Sequence, residues 1–273
     1  AKSGYPRGYL LQPRQPGVVF FMAVFLLLCC LALFGLLIVG VSKGGFGGGL
    51  GVVGVPFLAA AIPVNQAAAI MLPCLIIMDI TGLYGWRGQW CWIQLRRLLP
   101  AAALGVCLGG LGFHGLSDNA LRVMIGGIGL GFGLQWWIQH LGLNHRSEPS
   151  LPSAWHTRFW SMVAGFTSFS VHAGGPPLQV ALLPQRLDPK IYAATTVVFF
   201  TFVNLMKVYP YYWLDQFTSE VLWTAMILAP LGPVAVRLGI YLNQRISALW
   251  FYRVCYFALI ISSGRLLIIG LTT

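Results

Sequence analysis

The chain has 273 residues, of which 58% are hydrophobic and only 8% charged, too few charges to cover a soluble globule of this length. The composition places it in a membrane and leaves no room for a soluble domain. Its net charge of +11 comes from 17 basic residues, most of them in short connectors. There they read as topology signals beside anionic headgroups; no contiguous basic face points to nucleic acid.

In chain order, residues 1–17 form a polar basic tail with Lys2, Arg7 and Arg14. Five apolar pieces follow, Val18 to Gly40, Leu50 to Ile62, Gln66 to Tyr84, Leu98 to Phe113 and Leu121 to His140, making a first half over 18–141. The first is longer than a signal-peptide core and runs toward Gly44-Gly45-Phe46-Gly47-Gly48-Gly49 rather than a cleavage site, so it is expected to be a membrane helix. The second covers only about 20 Å at 1.5 Å per residue, against about 30 Å of hydrocarbon. A polar linker, 142–157, leads to a second half over 158–273. There a degenerate glycine cluster, Ala173-Gly174-Gly175-Pro176-Pro177, precedes an even shorter piece ending at Leu183 before Pro184.

Sliding the chain by 126 residues aligns Ser42 with Ser168, Gly48-Gly49 with Gly174-Gly175, Pro63 with Pro189 and Ala67-Ala68 with Ala193-Ala194. After a one-residue shift Gly105 meets Gly232 and Gly112 meets Gly239. The expected fold is an all-α polytopic membrane protein of two homologous, inverted repeats, each of about five helical segments, with broken helices or helical hairpins at the glycine-rich tips. Inversion puts Arg87, Arg96, Arg97, Arg146, Arg158, Arg186, Lys190, Arg245 and Arg253 on the cytoplasmic side and leaves mainly Lys207 and Arg265 outside. The basic tail opposes that orientation.

Glycine runs break helices, and non-helical backbone at membrane depth is tolerated only where it is buried in protein or lines a watery cavity. Lys43 sits in the first run, where its ammonium, the amides of Gly44, Gly45, Gly48 and Gly49 and the hydroxyl of Ser42 offer donors to an anion. A snorkelling lysine beside packing glycines is the alternative. In the second run His172 stands among Ser168, Ser170, Gly174 and Gly175, as an anion donor, a proton carrier or a structural histidine. Asp79 is the only acid deep inside an apolar piece and must be protonated or paired; proton coupling and structural pairing are both open, for it as for His172. Gln179, Thr195 and Asn204 complete the candidate substrate ligands; each could equally hydrogen-bond within the bundle. Trp86, Trp90, Trp92, Trp136, Trp137, Trp155 and Trp160 read as an interfacial aromatic belt. The six cysteines and the linker histidines have no metal-ligand spacing, and no catalytic constellation emerges. Neither a metal, a cofactor nor an enzymatic activity is expected.

The glycine run followed by Pro56, Pro63 and Ala67-Ala68, then Trp86-Arg87-Gly88-Gln89, Leu98-Leu99-Pro100 before Gly105 and Gly109, and the second copy from Gly174 to Thr195, resembles the TauE/SafE sulfite exporter family. The resemblance covers nearly the whole chain after the tail. It implies a secondary transporter of the prokaryotic inner membrane that exports or exchanges sulfite, thiosulfate or an organosulfonate such as sulfoacetate by alternating access. Protons are candidate co-substrates, lipid is the surrounding partner, and a homodimer is compatible with the pattern. An anion channel or uniporter, or an importer of another small anion, is the alternative. The incomplete second glycine run and His172 depart from the family pattern and leave the anion open.

Overall fold

The computed structural model describes residues 16–59, 62, 64–111, 118–140 and 153–272, and every regular element among them is helical. Helix α1 (Pro16–Gly45) runs five residues past the predicted end and carries Lys43 in its last turn. It stops where two residues adopt left-handed backbone, Gly47 at φ 71° and Gly48 at φ 69°, a conformation that only glycine enters without strain. A 3₁₀ turn (Gly49–Val53) and α2 (Gly54–Ala59) follow. Phe57 of α2 lies edge-on to Phe34 and against Gly35, so α2 returns along α1 as a hairpin. The second half repeats the device. Helix α6 (Ala154–Val171) breaks at His172, α7 (Gly175–Leu182) and a 3₁₀ turn (Leu183–Gln185) come back, and the Gln185 amide donates to Thr157 Oγ1 near the start of α6 at 3.4 Å.

Each hairpin leads into long helices: α3 (Val64–Gly85), α4 (Trp92–Gly110) and α5 (Asp118–His140) in the first half, α8 (Pro189–Trp213) and α11 (Ala248–Thr272) in the second. Between the last two, α9 (Ser219–Leu228) and α10 (Leu231–Arg245) meet at a 42° bend. That bend falls at Ala229-Pro230, where proline supplies no N–H to continue the ladder. Among the described residues three helices are long and apolar enough to cross a membrane alone, and a fourth span results if the bent pair counts as one.

Matching pairs hold the halves together. Helix α1 runs parallel to α10, with Gly40 on Ala235 and Gly45 on Gly239; α4 runs parallel to α6, with Ser161 donating to the Leu98 carbonyl at 2.6 Å and Gly109 on Phe169. A Cβ at Gly105 or Gly165 would overlap a carbonyl oxygen of the partner helix, so these glycines permit backbone-to-backbone packing without side chains between. Helices α3 and α8 run antiparallel, as do α5 and α11, with Gly126 beside Leu267 and Gly133 beside Ile260. Exchanging α1 with α6, α3 with α8, α4 with α10 and α5 with α11 turns this set of pairs into itself.

One end of the bundle is basic. The Cys91 N–H donates to Thr195 Oγ1 at 3.0 Å, Asn243 Nδ2 to the Pro189 carbonyl at 3.2 Å and the Tyr252 hydroxyl to the Leu187 carbonyl at 2.5 Å. These bonds gather the end of α3, the starts of α4, α8 and α11 and the end of α10, and with them Arg87, Arg96, Arg97, Arg186, Lys190, Arg245 and Arg253. Arg158, beside Thr157, joins them through the α6–α7 hairpin. Arg146, the residues of the tail as far as Gln15, Pro63, Gly112, Phe113 and most of the 142–157 linker lie outside the described residues. Three sequence expectations change. Lys207 is not an outer anchor but is buried on α8, and Trp86 and Trp136 are buried in the core rather than part of an interfacial belt.

Candidate functional site

A helix that ends inside a bilayer leaves carbonyls without water, and this chain supplies partners for several of them along the first break. Trp86 Nε1 donates to the Gly44 carbonyl at 2.7 Å and Asn243 Nδ2 to the Gly45 carbonyl at 2.7 Å. The Ser42 carbonyl accepts from Phe46 and Gly48 N–H, its hydroxyl accepts from Leu50 N–H at 3.1 Å, and Cys255 Sγ reaches the Phe46 carbonyl. Satisfied in this way, the broken end is stable at membrane depth. At the second break His172 turns left-handed at φ 52°, and Thr167 holds the chain from both sides. Its carbonyl accepts from Ala173 N–H and its hydroxyl donates to the Ala173 carbonyl at 3.2 Å. The two tips touch: a Cβ on Gly175 would lie 2.8 Å from the Gly48 carbonyl oxygen.

Between the tips lies a cavity of about 40 Å³, room for a few waters or one small oxyanion. Lys43, Gly48, Ser168, His172, Gly174, Gly175 and Asn204 of the sequence candidates line it. Lys207, Phe200, Gly51, Val55, Met71 and Leu75 also line it. The cavity sits toward the end where α3 begins and α8 finishes, away from the basic end.

The charges around it are unequal. Lys43 Nζ pairs with Asp79 Oδ1 at 2.8 Å and reaches the Leu75 carbonyl at 3.4 Å, while Asn204 Nδ2 donates to Asp79 Oδ2 at 2.8 Å. Asp79 and Asn204 sit on the antiparallel pair α3 and α8, so this bond crosses between the halves. Lys207, one helical turn beyond Asn204, is 1% exposed and makes no ion pair or hydrogen bond among the described residues. Two lysines line the cavity, and Lys207 is the one without a carboxylate partner among the described residues. His172 Nε2 is engaged by the Tyr211 hydroxyl at 2.6 Å, which leaves Nδ1 for other partners.

Other candidates lie elsewhere. Ser42 organises the break, Gly44 and Gly45 receive α10, Thr195 accepts from the Cys91 N–H, and Gly49 covers the amide of Gln179. None of these, nor Ser170, lines the cavity. Pro176 and Pro177 carry no N–H, so the start of α7 offers few of the amide donors expected there. Lys207 is the residue that sequence reasoning missed; its signal was the Asn204/Lys207 spacing, which puts both on one helix face. Among the described residues no three His, Cys, Asp or Glu side chains gather where a metal could sit.

The cavity thus lies at the meeting point of two helix breaks and is lined by a lysine with no carboxylate partner among the described residues. No curated protein and no solved structure matches the chain. The family model for the sulfite exporter TauE/SafE matches residues 17–266, nearly the entire described structure, and the chain therefore belongs to that family of integral membrane transporters.

Proposed function

We propose that the protein is a secondary transporter that holds one small sulfur oxyanion or sulfonate, with sulfite the first candidate, in the cavity between the two breaks and releases it by alternating access. The observation that carries this reading is Lys207, buried at the cavity wall with no carboxylate partner among the described residues while Lys43 is bound to Asp79. A buried charge left alone is costly, so a bound anion is its natural counter-charge. The antiparallel pairing of corresponding helices and the exchange-symmetric contacts support two inverted repeats rocking about that site. The gathering of arginines and lysines at one end supports a cytoplasmic location for it and an outward-facing cavity. Tip-to-tip contact that closes the cavity floor favours a carrier over an open channel. Asp79 and His172 are the groups through which a proton could be coupled.

Thermal melting of the purified protein with sulfite, thiosulfate, sulfoacetate, sulfate and chloride tests the reading, because a ligand bound only by the folded state raises its melting temperature. At least one sulfur anion is expected to stabilise the wild type, to lose that effect in Lys207→Met and to keep it in Thr195→Val. An equal response from Lys207→Met and wild type would remove Lys207 from the site.

A further inference from the structure

We propose that Gln179 and Tyr192 form a second substrate station on the basic side of the glycine tip, closed in this conformation and entered when the tip opens. The proposal rests on the transport reading above. Both polar atoms of the Gln179 amide and the Tyr192 hydroxyl are buried without a hydrogen-bond partner among the described residues. A buried donor without a hydrogen bond is costly, so the Gln179 NH₂ and the Tyr192 OH are unexpected here unless another state of the protein satisfies them.

Their placement says which state. A Cβ on Gly49 would overlap the Gln179 amide nitrogen, and one on Gly47 would overlap the Tyr192 ring with its hydroxyl oxygen 3.1 Å away. Gly48, between them, lines the cavity. The same short glycine stretch thus borders the cavity at Gly48 and an amide and a phenol at the glycines beside it, and two of its residues need left-handed backbone. Tyr192 precedes Lys207 by fifteen positions on α8, about 22 Å at 1.5 Å per residue, and lies toward the basic end. The amide NH₂ and phenol OH are neutral donors. They can accept an oxyanion from the cavity without trapping it, and each regains the hydrogen bond that it lacks when the tip is shut.

The test compares Tyr192→Phe and Gln179→Leu with wild type in three measurements: melting without ligand, the melting shift given by sulfite, and sulfite flux through proteoliposomes. Removing an orphaned polar group in favour of an apolar one of similar shape is neutral or stabilising when the group has no function. The station predicts an unchanged or raised melting temperature, a sulfite shift like that of wild type, and at least a tenfold loss of flux. Tyr192→Phe, which deletes one oxygen and keeps the ring, decides the matter if Gln179→Leu folds poorly. Flux within twofold of wild type overturns the station while leaving the cavity reading intact. Loss of the sulfite shift along with flux in both variants also overturns it, since a closed station has no part in outward binding. Absence of both shift and flux in wild type overturns both readings.

Discussion

Lys43 and Lys207 are about equally buried beside the same cavity, yet their surroundings give them opposite tasks. Lys43 belongs to a chain running through Asp79 to Asn204, with 2.8 Å contacts at both steps, that ties α1 to α3 and α3 to α8. Breaking a buried pair by removing one partner typically costs about 3–5 kcal/mol, whereas replacing both members by apolar residues is often neutral. Asp79→Asn is therefore expected to lower the melting temperature strongly in the absence of ligand, and Lys43→Met with Asp79→Leu to recover most of the loss. Equal melting of single and double variants would show that the pair is not a structural clamp. The same contrast explains what could be read from the residues alone. Asp79 stood out as an acid in an apolar piece that needed a partner. Lys207 did not stand out, because the aromatic run Tyr209-Pro210-Tyr211-Tyr212-Trp213 just after it looks like the end of a span, where lysines commonly anchor. Trp86 misled for a related reason: a tryptophan beside Arg87 suggests the interface, and nothing in the local sequence reveals a carbonyl of α1 within reach of its indole.

At the scale of elements, α1 with α10 and α4 with α6 are each joined through glycine at backbone distance, which makes each pair a stiff unit and places compliance at the tips and connectors. A Cβ on Gly239 would overlap the Val41 carbonyl oxygen, and one on Gly165 that of Ala102, whereas a Cβ on Gly127 meets nothing within 4 Å. Gly239→Ala and Gly165→Ala are each expected to destabilise by about 1–3 kcal/mol through overpacking. Gly127→Ala, in a helix and without a neighbour, is expected to be neutral or to stabilise by up to about 1 kcal/mol. Melting of the three variants checks the ranking, and uniform behaviour would show that the contacts carry no special constraint. The helix breaks were legible because helix length is arithmetic: a piece too short to cross must turn back or break. The bend between α9 and α10 was not, since a long apolar run looks the same whether straight or kinked, and Pro230 acquires its meaning only from the direction of the helix after it.

At the scale of the molecule, the hairpins decide the topology. With α6 and α7 returning to their starting end, the α3–α4 connector and the α8–α9 connector fall at opposite ends of the bundle, which predicts opposite faces of the membrane; counting that hairpin as a crossing would put them on the same face. In a background without native cysteines, Ser219→Cys is expected to react with an impermeant maleimide in intact cells and Gln89→Cys only after permeabilisation. Labelling of both from one side would overturn the inverted arrangement. The glycine tip also has an electrical consequence. If water enters the cavity from the α8–α9 side, the membrane voltage falls mainly over the closed segment between Lys207 and Tyr192, about 22 Å along α8. An anion passing Gly48 crosses most of the voltage in one step, worth about 2.3 kcal/mol per charge for each 100 mV. With the basic end on the negative side, that step runs downhill outward and uphill inward. That glycine stretch would then set the direction of transport, with equal affinity for the anion on both faces.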